Sequence, residues 1–298
     1  MYQEKNTMFM RLHPVVNVVY FLVIIGITMF FLQPVLLGIT SVVSFVYLVY
    51  LGGKKQLADN LMVIPFLLAF SFINPIFNQS GATVICYLGK RKITLEAVMY
   101  GMVAVEMIFA MILVFRVFHL IMDSEKVMCM LSRGFPMGAL LFTMTLRFVP
   151  MYKAQLVKMQ TAQKGIGITD QNWTRMEKIK NGVGLLSGLM TWALENAIET
   201  AQAMKGRGFG LAGRTCYTNM KFTKIDGWML GMEGLCSGLL LYACFTHRFQ
   251  MTYYPVIKFG GCGVHDMLYY SVYALFVAFP IILDLREEIT WFYLRRSI

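Results

Sequence analysis

Charge is scarce in this chain: 14% of its residues are charged and 57% are hydrophobic. That balance excludes an ordinary soluble globular domain of 298 residues. Paired cysteines are missing as well. Cys86, Cys129, Cys216, Cys236, Cys244 and Cys262 include no C-x-x-C, and several lie in apolar runs, so they read as buried thiols rather than a disulfide or metal framework. No G-x-x-x-x-G-K-S/T motif occurs, which excludes that route to cradling ATP phosphates. The four histidines are scattered, none at ligand spacing from a Cys, Asp or Glu, and no credible nucleophile or catalytic dyad is present. A membrane-embedded enzyme is therefore a poor fit, and no metal site is expected. The first apolar run has no small-residue cleavage pattern behind it and is expected to be a retained helix rather than a signal peptide.

What remains is long apolar runs. Six stretches approach the ~20 residues that cross a bilayer: 15–32, 34–51, 60–76, 96–122, 228–246 and 267–283. Gln33-Pro34 leaves room only for a tight hairpin between the first two, Gly52-Gly53-Lys54-Lys55 marks a turn after the second, and Asn74-Pro75 ends the third. The expected fold is an all-α polytopic membrane protein of about six transmembrane helices plus long amphipathic cytosolic helices. Its parts are N-terminal membrane helices (1–122), a surface region (123–227) and C-terminal membrane helices (228–298). The surface region holds fourteen Lys/Arg and seven Asp/Glu, so 14 − 7 = +7 of the formal +11 net charge. With Lys5 and Arg11 at one end and Arg286, Arg295 and Arg296 at the other, both termini and the central region are expected on the cytoplasmic side. Lys90-Arg91-Lys92 runs against that rule and is expected in an external hairpin loop over 81–94.

The central region has helical periodicity. Pro150 suits the first turn of a helix, beyond which Tyr152, Leu156 and Met159 share one face and Lys153, Gln160 and Lys164 the other. A longer helix over 181–205 aligns Leu186, Met190, Ala193, Ala197, Ala201 and Met204, with Glu195, Glu199 and Gln202 opposite. Its alanines permit close approach of a second helix. Between the two, residues 172–176 read as a short interfacial segment. The residues alone leave two readings open. A basic amphipathic helix beside a membrane can simply lie on anionic lipid, each Lys or Arg gaining ~1 kcal/mol, or it can dock a soluble partner. Arg207 can likewise complement its helix end, worth ~0.3–1 kcal/mol. Glu106 and Glu233 fall inside expected spans, where ionisable groups are costly. They read as structural, Glu106 pairing with Arg116 or with backbone polar groups elsewhere in the bundle, or as part of a substrate or partner contact.

Leu146-Arg147-Phe148-Val149-Pro150, then Ala162-Gln163, then Met204-Lys205-Gly206-Arg207-Gly208-Phe209-Gly210 resemble the motifs of the transmembrane T component of energy-coupling factor importers. Asn74-Pro75 and Gly101 sit where that family has them, and the resemblance runs over nearly the whole chain. It implies a non-catalytic scaffold that binds no cofactor itself. Two cytosolic ABC-type ATPase subunits, which use ATP and Mg, would dock on two helix tips. A small substrate-binding S component would sit in the same prokaryotic plasma membrane, for vitamin or metal-ion uptake, with no nucleic acid involved. Arg147 and Pro150 belong to the first motif. The second tip is Gly206, Arg207 and Gly208. At the first, the family's Ala-Arg-Gly falls on Gly165-Ile166-Gly167, with Lys164 the nearest cation. The competing class, a stand-alone secondary transporter, calls for ionisable groups converging at mid-membrane and an internal repeat, and neither is found.

Overall fold

The computed structural model describes residues 7–61, 65, 69–71, 74, 81–88, 91–167, 174–211, 222–246, 251–254 and 264–296. Its helices are α1 (Met8–Arg11), α2 (Pro14–Phe30), α3 (Pro34–Leu61), α4 (Leu95–Ile121), α5 (Ser124–Gly134), α6 (Pro136–Gly165), α7 (Arg175–Gly206), α8 (Lys224–Phe245) and α9 (Val264–Arg296). A β-hairpin of β1 (Val84–Leu88) and β2 (Arg91–Thr94) precedes α4. The chain separates into one compact unit formed by Met1–Val127 and Met220–Ile298, and a second formed by Met128–Asn219.

The first unit is the apolar bundle. Three of its helical stretches, Pro34–Gly53, Leu95–Ile121 and Met267–Arg295, are long and apolar enough to cross a membrane, and Pro14–Phe30 is apolar but shorter. This is an all-α membrane protein, with three such stretches among the described residues where six spans are expected. The expected span 228–246 is helical as α8, but Gly231, Gly234, Gly238 and Glu233 dilute its apolar character. The expected span 60–76 lies largely outside the described residues. The lysine turn after the second span is a break rather than an end: Gly53 takes φ 64°, and α3 resumes beyond it to Leu61.

Packing here relies on large rings, because lipid tails are as apolar as leucine and give helices little hydrophobic reason to associate. Tyr20 of α2 lies against Phe9, Phe21 and Phe276, and Phe21 meets Phe118 of α4 edge-on at 5.2 Å. The Tyr20 hydroxyl donates to the Val277 carbonyl at 2.8 Å, and the hydroxyls of Thr40 and Tyr273 bond at 2.6 Å, so these buried polar tips are satisfied. Gly101 permits a close approach on α4: a Cβ there would stand 3.0 Å from the Ser71 carbonyl and 3.2 Å from Asn74 Cβ. Two weak sequence signals, Asn74 and Gly101, thus turn out to be neighbours.

Buried carboxylates anchor the breaks between helices. The Phe9 N–H donates to Asp284 Oδ1 at 3.1 Å and the Tyr47 hydroxyl to Oδ2 at 2.9 Å. The His13 N–H donates to Asp226 Oδ1 at 3.0 Å, while the Thr223 N–H and hydroxyl hold Oδ2 at 2.8 and 2.6 Å. Arg11 pairs with Glu287 at 3.5 Å. These contacts bring the N-terminal strap, the start of α8 and the basic end of α9 to one end of the bundle. At the hairpin, the Thr83 N–H and hydroxyl donate to Glu96 Oε1 at 3.1 and 2.7 Å. Gly81, at φ 141°, is required there, since a Cβ would lie 2.6 Å from Glu96 Oε2.

One expectation for an acidic residue is corrected. Glu106 and Arg116 share the continuous helix α4, where ten residues impose about 15 Å of rise, too far for a direct ion pair. Glu233 is buried on α8, and neither of its carboxylate oxygens has a hydrogen-bond partner among the described residues.

Asp226 supplies a stability test. Burial pushes its pKa up, but the bonds from Thr223 and the His13 N–H outweigh burial and leave it below the usual carboxylate value. A carboxylate lowered in the folded state stabilises the fold above its ordinary titration range and loses that contribution as pH falls through the folded pKa. Asp226→Asn is expected to cost about 1–3 kcal/mol at neutral pH by weakening the bonds to His13 and Thr223. Thermal melts in detergent across pH should show a constant gap from the parent protein near neutrality that narrows below about pH 4. A gap that widens on acidification is the opposite of this expectation.

Candidate docking surface

The second unit is built on α6 and α7. α6 starts at Pro136, whose missing N–H costs nothing at the first helical position. Pro150 therefore does not open a helix as expected; it lies inside α6. The helix continues through it because only the Leu146 carbonyl loses its donor, and the Phe148 and Tyr152 rings stack across the site at 5.7 Å. α7 begins at Arg175, six residues earlier than the expected 181, because a capping box precedes it. Glu177 Oε2 accepts from the Thr174 N–H and hydroxyl, both at 2.8 Å. Arg175 and Met176 are thus its first turn, and Trp173 lies outside the described residues.

The two helices meet where Tyr152 packs edge-on against Trp192, ring centroids 5.7 Å apart. Half-buried Leu185, Leu189 and Asn196 fall on the same side of α7 as Trp192. No residue of α7 is fully buried. At 100° per residue the opposite side carries Met176, Ile179, Val183, Leu186, Met190, Leu194 and Ile198, all exposed. The expected face is thus only partly the one displayed. Leu186 and Met190 stand on this stripe, Ala197 and Ala201 are exposed beside it, and Ala193 and Met204 are half-buried at its edge. Starting the helix at 181 hid Met176 and Ile179, although their spacings of three and four continue the same stripe.

The two helix ends share a left-handed glycine and two cap bonds. At α7, Gly208 takes φ 76°, its N–H donates to the Lys205 carbonyl at 3.0 Å, and the Phe209 N–H donates to the Met204 carbonyl at 3.0 Å. That is a complete Schellman cap with Arg207 as the C-cap residue. At α6, Gly167 takes φ 77° and its N–H donates to the Lys164 carbonyl at 3.1 Å, with Ile166 as the C-cap residue. The Ile166 and Arg207 N–H groups make matching bonds to the Ala162 and Ala203 carbonyls, each at 3.1 Å. Position by position, Lys164 matches Lys205, Gly165 matches Gly206, Ile166 matches Arg207 and Gly167 matches Gly208. Arg207 is exposed, as is Ile166. From the ring contact, α6 runs twelve residues to Lys164 and α7 fourteen to Gly206, arms of about 18 and 21 Å. Arg147 is exposed well back along α6, so the structure does not bring it to either tip.

Gly208→Ala is expected to cost about 1–2 kcal/mol of local stability, because an L side chain is strained at that φ. Gly206→Ala, at a helical position with open space around its Cβ, should stabilise the last turn by up to ~1 kcal/mol. Trypsin cleavage rates at Lys205 and Arg207 should therefore rise in the first variant and not in the second.

Comparison with known proteins gives one consistent result. The model of the family CbiQ, cobalt transport protein, matches residues 5–217, which includes both tips. The chain is 27% identical over 179 residues to the energy-coupling factor transporter transmembrane protein EcfT of Leuconostoc gelidum, covering 56% of this chain and 67% of that one. It is 26% identical over 222 residues to EcfT of Listeria innocua, covering 68% and 83% respectively. With EcfT of Lactobacillus helveticus it shares 35% identity over 104 residues, 35% of this chain and 38% of the other.

Proposed function

The chain belongs to the CbiQ cobalt transport protein family, as an EcfT-like T component, and we propose that it is the scaffold and coupling subunit of an energy-coupling factor importer. Two cytosolic ABC-type ATPase subunits dock on the tips of α6 and α7, where Lys164, Gly165 and Gly167 flank one C-cap residue and Gly206 and Gly208 flank Arg207. ATP and Mg are bound by those partners. A small membrane S component, carrying a vitamin or a metal ion, rests on the chain. The apolar stripe of α7 supports this part, since seven exposed apolar side chains in one row call for a cover of lipid or protein. Closure of the ATPase pair moves the tips, and the helices carry that motion to the S component as rigid bodies.

The observation that carries this reading is the pair of helix ends in one unit that share a left-handed glycine and two matching cap bonds, each on an arm of about 20 Å from a shared ring contact. Left-handed glycines end both helices without bulky side chains, so a partner backbone can approach closely. Arg207 adds a planar fork of donors suited to carboxylates and carbonyls. The shared end of the bundle also supports a cytoplasmic placement of both termini. The N-terminal strap and the end of α9 meet there, with Arg11, Arg286 and Arg295 nearby.

Affinity purification from the native host is expected to recover two ATPase subunits and one small membrane protein with this chain. Arg207→Ala should then weaken ATPase retention by about 2–5 kcal/mol, because partner acceptors are left unpaired. Arg207→Lys should rescue poorly, a point charge being no substitute for the fork. Recovery of the chain alone, active in proteoliposomes under an ion gradient, would sink the proposal in favour of a secondary transporter. Wild-type retention in Arg207→Ala would return α7 to the role of a lipid-surface helix.

A further inference from the structure

The two tips share a backbone but not a chemistry, and the geometry points to an apolar anchor at the first: Ile166 takes the place at α6 that Arg207 takes at α7 and inserts into an apolar groove on its ATPase. This inference rests on the docking reading above.

The matched caps identify the equivalent residues without reference to sequence spacing. Both C-cap N–H groups bond the carbonyl four residues back, both following glycines are left-handed, and both glycine N–H groups bond a lysine carbonyl. Lys164 is therefore the counterpart of Lys205, and each lysine lies in the last turn, where a cation complements the negative end of its own helix. Lys164 does not replace the arginine. The residue at the arginine's position is Ile166, 75% exposed.

Nothing in the cap calls for isoleucine. The capping bonds come from main-chain atoms and from Gly167, and Ile166 is not among the residues of the hydrophobic clusters. An isoleucine held out at a helix end, outside the hydrophobic clusters among the described residues, gains its full transfer free energy only when something covers it. An acidic groove that suits Arg207 gives Ile166 no partner for burial and leaves the groove's own charge unpaired. The tips are consequently not interchangeable: one contact is charge-assisted and the other hydrophobic. The chain can thereby distinguish its two ATPase positions.

The test uses the chain co-purified with its ATPases and counts ATPase copies per chain by native mass spectrometry. In the unaltered complex, raising ionic strength should release the copy at the Arg207 tip first, because screening weakens charge contacts and spares hydrophobic ones. Ile166→Ala should weaken the other copy about tenfold to a hundredfold. Ile166→Arg should lower it as well, since the receiving groove is apolar, and Lys164→Ala should lower it less than Ile166→Ala does. Ile166→Ala changes an exposed side chain and no capping bond, so unchanged melting is expected and loss of fold is not a competing explanation. The inference is overturned if Ile166→Ala keeps both copies, if Lys164→Ala alone releases one, or if both copies leave together with the same salt dependence. Failure of the underlying reading looks different: the unaltered chain retains no ATPase, or Arg207→Ala has no effect on either copy.

Discussion

A helix break buried in protein leaves main-chain N–H and C=O groups with no water to satisfy them, and the arrangement of this bundle follows from that constraint. In the first unit the answer is a set of buried or half-enclosed carboxylates. Asp284 takes the Phe9 N–H, Asp226 takes the His13 N–H and Glu96 takes the Thr83 N–H. Each lies far from its donor in sequence or across a turn, so each bond also ties two segments together. The N-terminal strap is fixed to α8 and α9 because its open N–H groups are satisfied there. The scarcity of charge in the chain has a consequence: the few buried acids are committed to main-chain partners, Glu233 excepted among those described.

The second unit answers the same constraint locally. Thr174 and Glu177 cap the start of α7, and left-handed glycines close the ends of α6 and α7. Because the caps are made by the helices' own residues, no distant side chain is spent on them. The long helices can therefore stand with their side chains uncovered. α7 accordingly keeps seven apolar residues exposed, and the tips of α6 and α7 are uncovered among the described residues, which suits this unit to a docking role.

Much of this was legible in the sequence, where the physical cause is local. Long apolar runs marked α3, α4 and α9, and glycine on both sides of Arg207 marked a helix end, as the Schellman cap bears out. Less was legible where the cause is distant or compensated. Pro150 reads as a helix start, yet a single lost bond is tolerated mid-helix when aromatic rings stack across it. The apolar pattern starts α7 at 181, six residues late, because residues 172–176 read as a short interfacial segment and hide the capping box of Thr174 and Glu177. The fixing of the strap by Asp226 and Asp284 spans more than two hundred residues and has no sequence signature at all. The equivalence of Ile166 with Arg207 is visible as a spacing, but its meaning depends on the bonds and the left-handed glycine that the two caps share.

Stiffness is distributed along α6 and α7 in the way a coupling device requires. Beyond the Tyr152–Trp192 contact, residues 153–164 and 193–205 contain no glycine and no proline, and alanine, lysine, glutamine and glutamate dominate them. These are strong helix formers, so a displacement at either tip is carried back without loss to bending. On the other side of the contact the helices are softer. Pro150 removes a bond two residues before Tyr152, and Gly182, Gly184 and Gly188 precede Trp192. Bending is therefore concentrated at and behind the aromatic contact, next to the exposed stripe between Val183 and Ile198. On the proposed function, a movement imposed at the tips becomes a change in angle at that contact, which shifts the apolar face on which the S component rests. Neither ATP nor transported substrate needs to touch the chain for this to happen. Two stiff arms, a ring contact and a softened segment behind it are enough to turn closure of one partner into displacement of another.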